Sequence, residues 1–267
     1  MRVRDLGGLE GPVWLFGGAY SNAQAVRAFL AGAAQAGVRP ICTGDLVAYG
    51  ADPVAVLEML AERAEVIAGN VERQLAADAS DCGCGFAPGT TCESLSRGWY
   101  AHARARVAER WRRWMGALPD MAVFTHEGRR WAVIHGGMSD ISRFLWPDMP
   151  DDVFRHEINM IKREVGPVDG VVAGHCGIAF ERRIGDVTWL NAGVIGLPPH
   201  DGRPETRFAV LGKDGARLHR LSYDHRAAAA AMRAAELGQG YAETLETGLW
   251  PSQDVLPEAL RRPLHPG

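Results

Sequence analysis

The chain lacks the features that would assign it to a membrane, secreted or disordered class. None of its apolar runs approaches the roughly 18 residues that a membrane-spanning helix needs, and residues 1–6 lack the apolar core of a signal peptide. No proline- or serine-rich linker and no low-complexity tract divides the 267 residues. We therefore expect one globular cytoplasmic domain over residues 1–267, with a core over about residues 12–222 and C-terminal helices over about residues 224–250.

An excess of positive charge is also missing. The net charge is −3 and the pI is about 6.3, so the chain has no overall basic surface of the kind that binds nucleic acid. The one dense cationic stretch, residues 104–113, places arginines among Trp111 and Trp114 at helical spacing, which is typical of the solvent-facing side of an amphipathic helix. We expect neither a nucleic-acid nor a membrane partner, and the sequence leaves the oligomeric state open.

Cysteine is scarce, and the five cysteines are an odd number that argues against a secreted disulfide framework. Three of them, Cys82, Cys84 and Cys92, lie within eleven residues. Their spacing is not that of a standard zinc finger, and three interpretations stay open. They form a structural zinc site with His102 or Cys176 as fourth ligand, a redox-active pair, or a set of unpaired thiols in a tight loop.

Apolar runs and helical periodicity predict β-α-β units first and hairpins later. The predicted strands cover residues 12–16, 41–45, 65–70, 121–125, 130–135, 171–175, 188–193, 208–211 and 218–221. The predicted helices run from a cap at Ser21 or Asn22 to Gly37, and over residues 54–63, 92–116, 151–165, 224–237 and 241–247, with a loop over residues 78–89. This order predicts an α/β protein with two packed sheets of mixed strands covered by helices.

Four of the predicted strands end on a side chain that can bind a metal. Asp45, Asn70, His135 and His175 each follow such a strand. Because α/β proteins assemble their sites at the carboxyl ends of strands, we expect these side chains to meet. Two nitrogen and two oxygen ligands suit a divalent transition metal.

The order of these motifs resembles the calcineurin-like metallophosphoesterases, in particular the small branch with YfcE-type phosphodiesterases and diadenosine-tetraphosphatase relatives. The motifs that carry the resemblance are Gly44-Asp45-Leu46-Val47, Gly69-Asn70-Val71-Glu72, His135-Gly136, Gly174-His175-Cys176-Gly177 and Asn191-Ala192-Gly193. The resemblance implies a four-layer α-β-β-α sandwich. It also implies hydrolysis of a phosphate ester or a dinucleotide polyphosphate at a metal centre.

Carried over position by position, the resemblance implies a reduced metal centre. Three family ligands of the first metal are replaced here by Gly18, Tyr20 and Gly177. The family ligands of the second metal are present, namely Asp45, Asn70, His135 and His175. One ion of manganese, iron, nickel or zinc is therefore expected, and one oxygen of Asp45 is free for water, for a donor such as Tyr20, or for no partner.

The catalytic groups implied by the resemblance are incomplete as well. Asp45 and His135 are retained, but Val71 stands where the family has a histidine that serves the transition state. His200 is a candidate replacement donor. Glu72 is expected to be a surface carboxylate at a helix start, with a supporting contact next to the metal ligands as the alternative, and Asn191 is expected to build a turn near the site.

Three functions follow from these observations. The first is a divergent metal-dependent phosphoesterase acting on a small phosphorylated substrate. The second is a binding or regulatory protein that kept the fold and lost catalysis, for which Gly18, Tyr20, Val71 and Gly177 argue. The third is a metal or redox sensor centred on the cysteine loop.

Overall fold

A computed structural model describes residues 1–237 and 240–262 and shows two mixed β-sheets with helices on their outer faces. Residues 238–239 and 263–267 of the predicted domain lie outside the described part. Within that part, no helix combines the length and apolar character needed to cross a membrane.

The first sheet has six strands in the order β1-β5-β6-β7-β9-β8. Its strands are β1 (Val3–Gly8), β5 (Met121–His126), β6 (Arg129–Val133), β7 (Gly170–Ala173), β8 (Phe180–Ile184) and β9 (Val187–Asn191). Parallel pairing joins β6, β7 and β9, whereas β5–β6 and β8–β9 are antiparallel hairpins.

The second sheet has five strands in the order β11-β10-β2-β3-β4. Its strands are β2 (Val13–Phe16), β3 (Ile41–Cys42), β4 (Glu65–Val66), β10 (Thr206–Gly212) and β11 (Gly215–Leu221). The strands β2, β3 and β4 are parallel, as expected for successive β-α-β units, and β10–β11 is a hairpin.

Helices cover the outer faces of both sheets. They are α1 (Ala23–Gln35), α2 (Pro53–Arg63), α3 (Asn70–Ala76), α4 (Thr91–Arg106), α5 (Glu109–Ala117), α6 (Asp151–Val165), α7 (His225–Ala234) and α8 (Tyr241–Thr247). A short 3₁₀ helix covers Glu258–Leu260. Asn22 caps α1 by accepting a hydrogen bond from the Ala25 N–H, as its position predicts.

The apolar side chains form three layers of core. Leu15, Ile41 and Val172 lie in the central layer between the two sheets. Outer layers pack the helices on the sheets, with Phe29 of α1 on one side and Phe154 of α6 on the other. The architecture is the expected four-layer α-β-β-α sandwich.

The predicted elements differ from the structure in several places, and α3 and β8 are elements for which no range was predicted. The single helix over residues 92–116 is two helices, because buried Val107 adopts an extended backbone and Arg112 closes the end of α4 by donating to the Arg104 and Val107 carbonyls. The predicted strand over 65–70 stops at Val66. The edge strand β1 precedes the predicted core, and its exposed, charged sequence carries no period-2 apolar signal.

Candidate metal centre

The four predicted ligand residues meet between the carboxyl ends of the two sheets. Asp45 and Asn70 follow β3 and β4 of the five-stranded sheet, and His135 and His175 follow β6 and β7 of the six-stranded sheet. All four side chains are buried, with exposures from 1% for Asn70 to 8% for His175. The cluster therefore depends on the packing of one sheet against the other.

The ligand atoms surround Nε2 of His135. This nitrogen lies 2.9 Å from Asn70 Oδ1, 3.1 Å from His175 Nδ1 and 3.3 Å from Asp45 Oδ2. Asp45 Oδ2 and His175 Nδ1 are 3.9 Å apart. Ligands about 2.1 Å from a shared ion are about 3.0 Å apart in an octahedron and about 3.4 Å apart in a tetrahedron. The observed spacings bracket these values.

Hydrogen bonds fix which atoms face the centre. Nδ1 of His135 donates to the Thr43 carbonyl at 2.6 Å, so Nε2 is the ring nitrogen that faces the centre. The Asn70 amide donates through Nδ2 to the Cys82 carbonyl at 2.9 Å, which leaves Oδ1 toward His135. With Nε2 of His135 and Nδ1 of His175 both unprotonated, four acceptor atoms converge on one point. A bound cation satisfies all of them, so the residues present fit a divalent metal.

The electrostatics support the same arrangement. Burial and the neighbouring His135 lower the pKa of His175 to about 4, so its ring is neutral at pH 7. Burial disfavours charge on Asp45 too, but His135 and His175 hold the pKa of Asp45 below its ordinary value. The centre thus presents one carboxylate and a neutral imidazole.

Backbone geometry at the cluster is unusual. Asp45 and His175 both adopt the left-handed conformation, with φ of 59° and 62°. Gly69 lies so close that a Cβ there would come within 2.4 Å of Asp45 Oδ1. Such strain at non-glycine residues persists where surrounding contacts hold it, which is typical of functional sites.

Glu72 is the contact that holds this backbone, and the expectation of a surface carboxylate is wrong. It is 0% exposed, and its two oxygens accept from the N–H groups of Asp45, Leu46 and Gly69, each at 2.8 Å. Glu72 is the third residue of α3 after its cap at Gly69. The capping-box spacing Gly69-Asn70-Val71-Glu72 was the sequence signal that could have identified it.

Aromatic rings lie against Gly18 and Gly177, two of the positions at which the resemblance implies a replaced ligand. A Cβ on Gly18 would lie 2.4 Å from the Tyr20 ring, and a Cβ on Gly177 would lie 3.3 Å from the Trp250 ring. Both rings line a cavity of about 40 Å³ beside His175. The free oxygen of Asp45, Oδ1, accepts from the Val71 N–H at 3.3 Å. A backbone N–H is therefore the partner of this oxygen, where water, Tyr20 or no partner was expected.

Asn191 builds a turn next to the cluster, as expected. Its Nδ2 donates to the Gly174 carbonyl at 2.7 Å and to Cys176 Sγ at 3.2 Å, and its Oδ1 accepts from the Gly193 N–H. These contacts hold the residues on either side of His175. Burial raises the pKa of Cys176 to about 12, so its sulfur is a thiol at pH 7.

The three clustered cysteines do not form one metal site. Cys82 and Cys84 are joined by a disulfide, whereas buried Cys92 lies beside Ser252 and Val255. The cause is that Cys92 is the second residue of α4, which turns it away from the loop. The structural-zinc interpretation is therefore wrong. Of the alternatives, the pair of Cys82 and Cys84 is the arrangement found.

His200 does not reach the candidate centre as a proton donor. Its Nδ1 accepts from the Trp250 N–H at 2.8 Å, so Nε2 carries the proton and donates to Gln253 Oε1 at 3.1 Å. Both ring nitrogens are thus engaged with the C-terminal segment. The expectation of a catalytic role for His200 is not supported, since it holds the segment that covers the cavity.

The arrangement of two sheets and a centre at their carboxyl ends has a counterpart among known families. A model described as the calcineurin-like phosphoesterase superfamily domain matches residues 20–214, well over half of the chain. The chain belongs to the calcineurin-like phosphoesterase superfamily. This phosphoesterase family is metal-dependent, which agrees with the Asp45, His135 and His175 group.

Solved structures share the phosphoesterase fold at low sequence identity. A metallophosphoesterase from Sphaerobacter thermophilus is 18% identical with a TM-score of 0.70, covering 90% of this chain and 100% of its own. A hypothetical protein from Pyrococcus horikoshii is 15% identical with a TM-score of 0.71, covering 89% and 98%. A putative diadenosine tetraphosphatase is 16% identical with a TM-score of 0.50, covering 83% and 98%. No curated protein sequence matches the chain.

Proposed function

We propose that the chain is a metal-dependent phosphoesterase that holds one divalent ion and hydrolyses a phosphate ester or a dinucleotide polyphosphate. The observation that carries this proposal is the convergence of Asp45 Oδ2, Asn70 Oδ1, His135 Nε2 and His175 Nδ1 on one point in a buried centre. Membership of the phosphoesterase superfamily supplies the reaction type. A small phosphorylated substrate and a cytoplasmic location are part of the proposal.

The residues around such a site have separate roles in binding the ion and in holding its ligands. A bound manganese, iron, nickel or zinc ion supplies charge that polarises a phosphate and lowers the pKa of water. Glu72 holds the Asp45 and Gly69 backbone, and the Thr43 carbonyl fixes the ring of His135. These contacts preorganise the ligands before substrate arrives.

Within the part of the chain that the structure describes, the site lacks an obvious side chain that could donate a proton to the leaving group. The Val71 side chain is buried in the core and carries no proton donor. Tyr20 keeps its proton because burial and the nearby Asp45 raise the pKa of its phenol. Its ring lies against Gly18, where the resemblance implies that a ligand of the first metal is replaced. The loss of a positioned acid lowers rates by about 10²- to 10⁴-fold, so we expect a slow enzyme.

Metal analysis together with hydrolysis of bis-p-nitrophenyl phosphate tests the proposal. Protein purified without a chelator is expected to hold about one equivalent of metal, and His175→Ala is expected to lose both metal and activity. His156→Ala, which changes an exposed histidine on α6, is the matched control and should lose neither. Absence of metal and of hydrolysis in added manganese would overturn the proposal.

A second function is favoured by one specific observation. Tyr20 and Trp250 occupy the space next to the centre, and the four ligands are at most 8% exposed. A protein that kept the fold for binding or regulation would have such a covered site. Bound metal without hydrolysis of mono- or diesters, in wild-type protein and in Trp250→Ala, would favour this function over catalysis.

A further inference from the structure

The disulfide in the loop before α4 lies directly against a ligand of the proposed metal centre. Nδ2 of Asn70 donates to the Cys82 carbonyl at 2.9 Å and faces Cys84 Sγ at 3.5 Å. The other end of the same amide, Oδ1, lies 2.9 Å from His135 Nε2. One side chain therefore connects the sulfur pair to the centre.

The Cys82–Cys84 bond is poorly suited to a purely stabilising role. A disulfide stabilises a fold mainly by restricting the unfolded chain, and the restriction grows with the length of the closed loop. Here the two cysteines are separated by Gly83 alone. Independent contacts already hold Gly83, whose carbonyl accepts from the Ser142 hydroxyl and whose N–H donates to Asp81 Oδ1.

Opening the bond must move atoms next to Asn70. Bonded sulfurs lie about 2.05 Å apart, and two thiols must separate to van der Waals distance. Cys82 and Cys84 are 4% and 6% exposed, so separation of their sulfurs displaces the atoms packed against them. Reduction also turns Cys84 Sγ into a thiol that can donate, and it then competes with the Asn70 N–H for acceptors.

A small reductant can approach the pair from one side. A surface cavity of about 340 Å³ is lined by Cys82 and Cys84 together with Asp81, Glu93, Arg97 and Tyr100. The candidate centre lies on the opposite side of Asn70. Access to the sulfurs therefore does not require opening the metal centre.

We propose that Cys82 and Cys84 form a thiol–disulfide switch that sets the affinity of the centre for a divalent ion. In the oxidised form Asn70 Oδ1 is held toward His135 and the ion binds. In the reduced form the Asn70 amide is released and the ion binds more weakly. A dithiol supplies two electrons and two protons, the sulfur–sulfur bond breaks, two thiols form, and the dithiol closes to its own disulfide. The inference rests on the proposed metal centre.

Titration of the full chain with Mn²⁺ in both redox states tests the switch. Mn²⁺ is the probe because it prefers oxygen and nitrogen ligands to thiolates. Protein is reduced with dithiothreitol, desalted without oxygen, and compared with untreated protein by calorimetry. Removal of contacts that orient a metal ligand costs about 10- to 100-fold in affinity, so we expect the dissociation constant to rise at least about tenfold on reduction.

Thiol counting and mass spectrometry give a readout that does not depend on metal. Unfolded untreated protein should show three thiols, since Cys42, Cys92 and Cys176 are free, and reduced protein should show five. The peptide that contains Cys82 and Cys84 should gain about two mass units on reduction.

Three variants separate the switch from other thiol effects. Cys84→Ser is expected to hold the weaker affinity in both states. Cys92→Ser, which changes a free thiol that does not contact Asn70, is the matched control and should keep the redox response. Asn70→Asp removes the donor to Cys82 and should abolish the response while still binding Mn²⁺.

The outcomes distinguish this inference from the proposed function. Three outcomes would overturn the switch without contradicting the proposed metal centre. They are equal Mn²⁺ affinities in the two states, tighter Mn²⁺ binding after reduction, and five thiols in untreated protein. No Mn²⁺ binding in either state would overturn both.

Discussion

At the scale of single residues, the site depends on Glu72 as much as on its ligands. Its carboxylate joins the end of β3 to the start of α3 through three backbone hydrogen bonds. Burial and the nearby Asp45 raise the pKa of Glu72, and the backbone donors oppose that rise. Among residues 1–237 and 240–262, Glu72 is the side chain that satisfies three backbone donors around Asp45.

Glu72→Gln should therefore weaken both the fold and the metal centre. The amide has one acceptor oxygen and leaves at least one buried N–H without a partner, so we expect a loss of about 2–3 kcal/mol in the free energy of unfolding. Mn²⁺ affinity should fall about 10- to 100-fold. Urea unfolding and calorimetry measure the two effects. Glu62→Gln, at an exposed position of α2, is the control and should change neither the free energy of unfolding nor the Mn²⁺ affinity. If Glu72→Gln has the wild-type stability and affinity, the carboxylate does not hold Asp45.

At the scale of elements, the C-terminal segment after α8 is the part that closes the site. Trp250 packs on Gly177, its Nε1 donates to the Pro198 carbonyl at 2.7 Å, and its backbone N–H donates to His200. Further along, Asp254 accepts from the Thr91 N–H at the start of α4. The segment thus bridges the two halves of the sandwich over the cavity.

Trp250→Ala should open the cavity beside His175. The ring contacts and one partly buried hydrogen bond are lost, which we expect to cost about 2–3 kcal/mol in the free energy of unfolding. Cys92 and Cys176, which line the same cavity, should react faster with a thiol reagent under native conditions. Trp250→Phe keeps most of the ring and serves as the control. Equal labelling rates in Trp250→Ala and wild type would contradict a covering role.

The same segment should respond to pH through His200. Burial lowers the pKa of His200, and its neutral Nδ1 accepts from Trp250. The unfolded chain binds this proton at higher pH than the folded chain does, so the stabilisation is complete above about pH 6.5 and is lost as pH falls through the lowered pKa.

Unfolding free energies at about pH 7.5 and pH 5 measure this contribution. His200→Asn keeps an acceptor that does not titrate, and the difference between the two pH values should be smaller in this variant than in wild type. His156→Ala is again the control, since its ring is exposed. If the difference in unfolding free energy between the two pH values is the same in His200→Asn as in wild type, His200 does not cause the pH dependence.

At the scale of the whole molecule, the centre exists because two sheets pack face to face. Asp45 and Asn70 come from one sheet and His135 and His175 from the other, so the central core sets their separation. Leu15 of β2 is 0% exposed in that core. Changes there should reach the site without touching it.

Leu15→Ala should cost about 2–5 kcal/mol in the free energy of unfolding, because it leaves a cavity between the sheets. Mn²⁺ affinity should fall as well, since the two pairs of ligands lose their fixed spacing. Leu218→Ala on β11 is the matched control, because Leu218 is 39% exposed and should change stability by less than about 0.5 kcal/mol. A destabilised Leu15→Ala with wild-type affinity would show that the ligand spacing is set locally.

Much of this molecule was predictable from the chain alone. The helix α6 (Asp151–Val165), the cap Asn22 and the hairpins are local patterns, because they depend on periodicity and on chemistry at element ends. The strand-end motifs also allowed Asp45, Asn70, His135 and His175 to be predicted as one group, and the structure brings these side chains together.

Tertiary structure decided what those local patterns could not. Three features depend on how the layers pack. They are the burial of Glu72, the closing of the cavity by Trp250 and the separation of Cys92 from Cys84. The contact of Asn70 with the cysteine loop is of the same kind. Sequence determined which groups reach the carboxyl ends of the strands, because strand and turn propensities act over a few residues. Packing of the two sheets decided which of those groups meet, because that depends on the shape of the whole core.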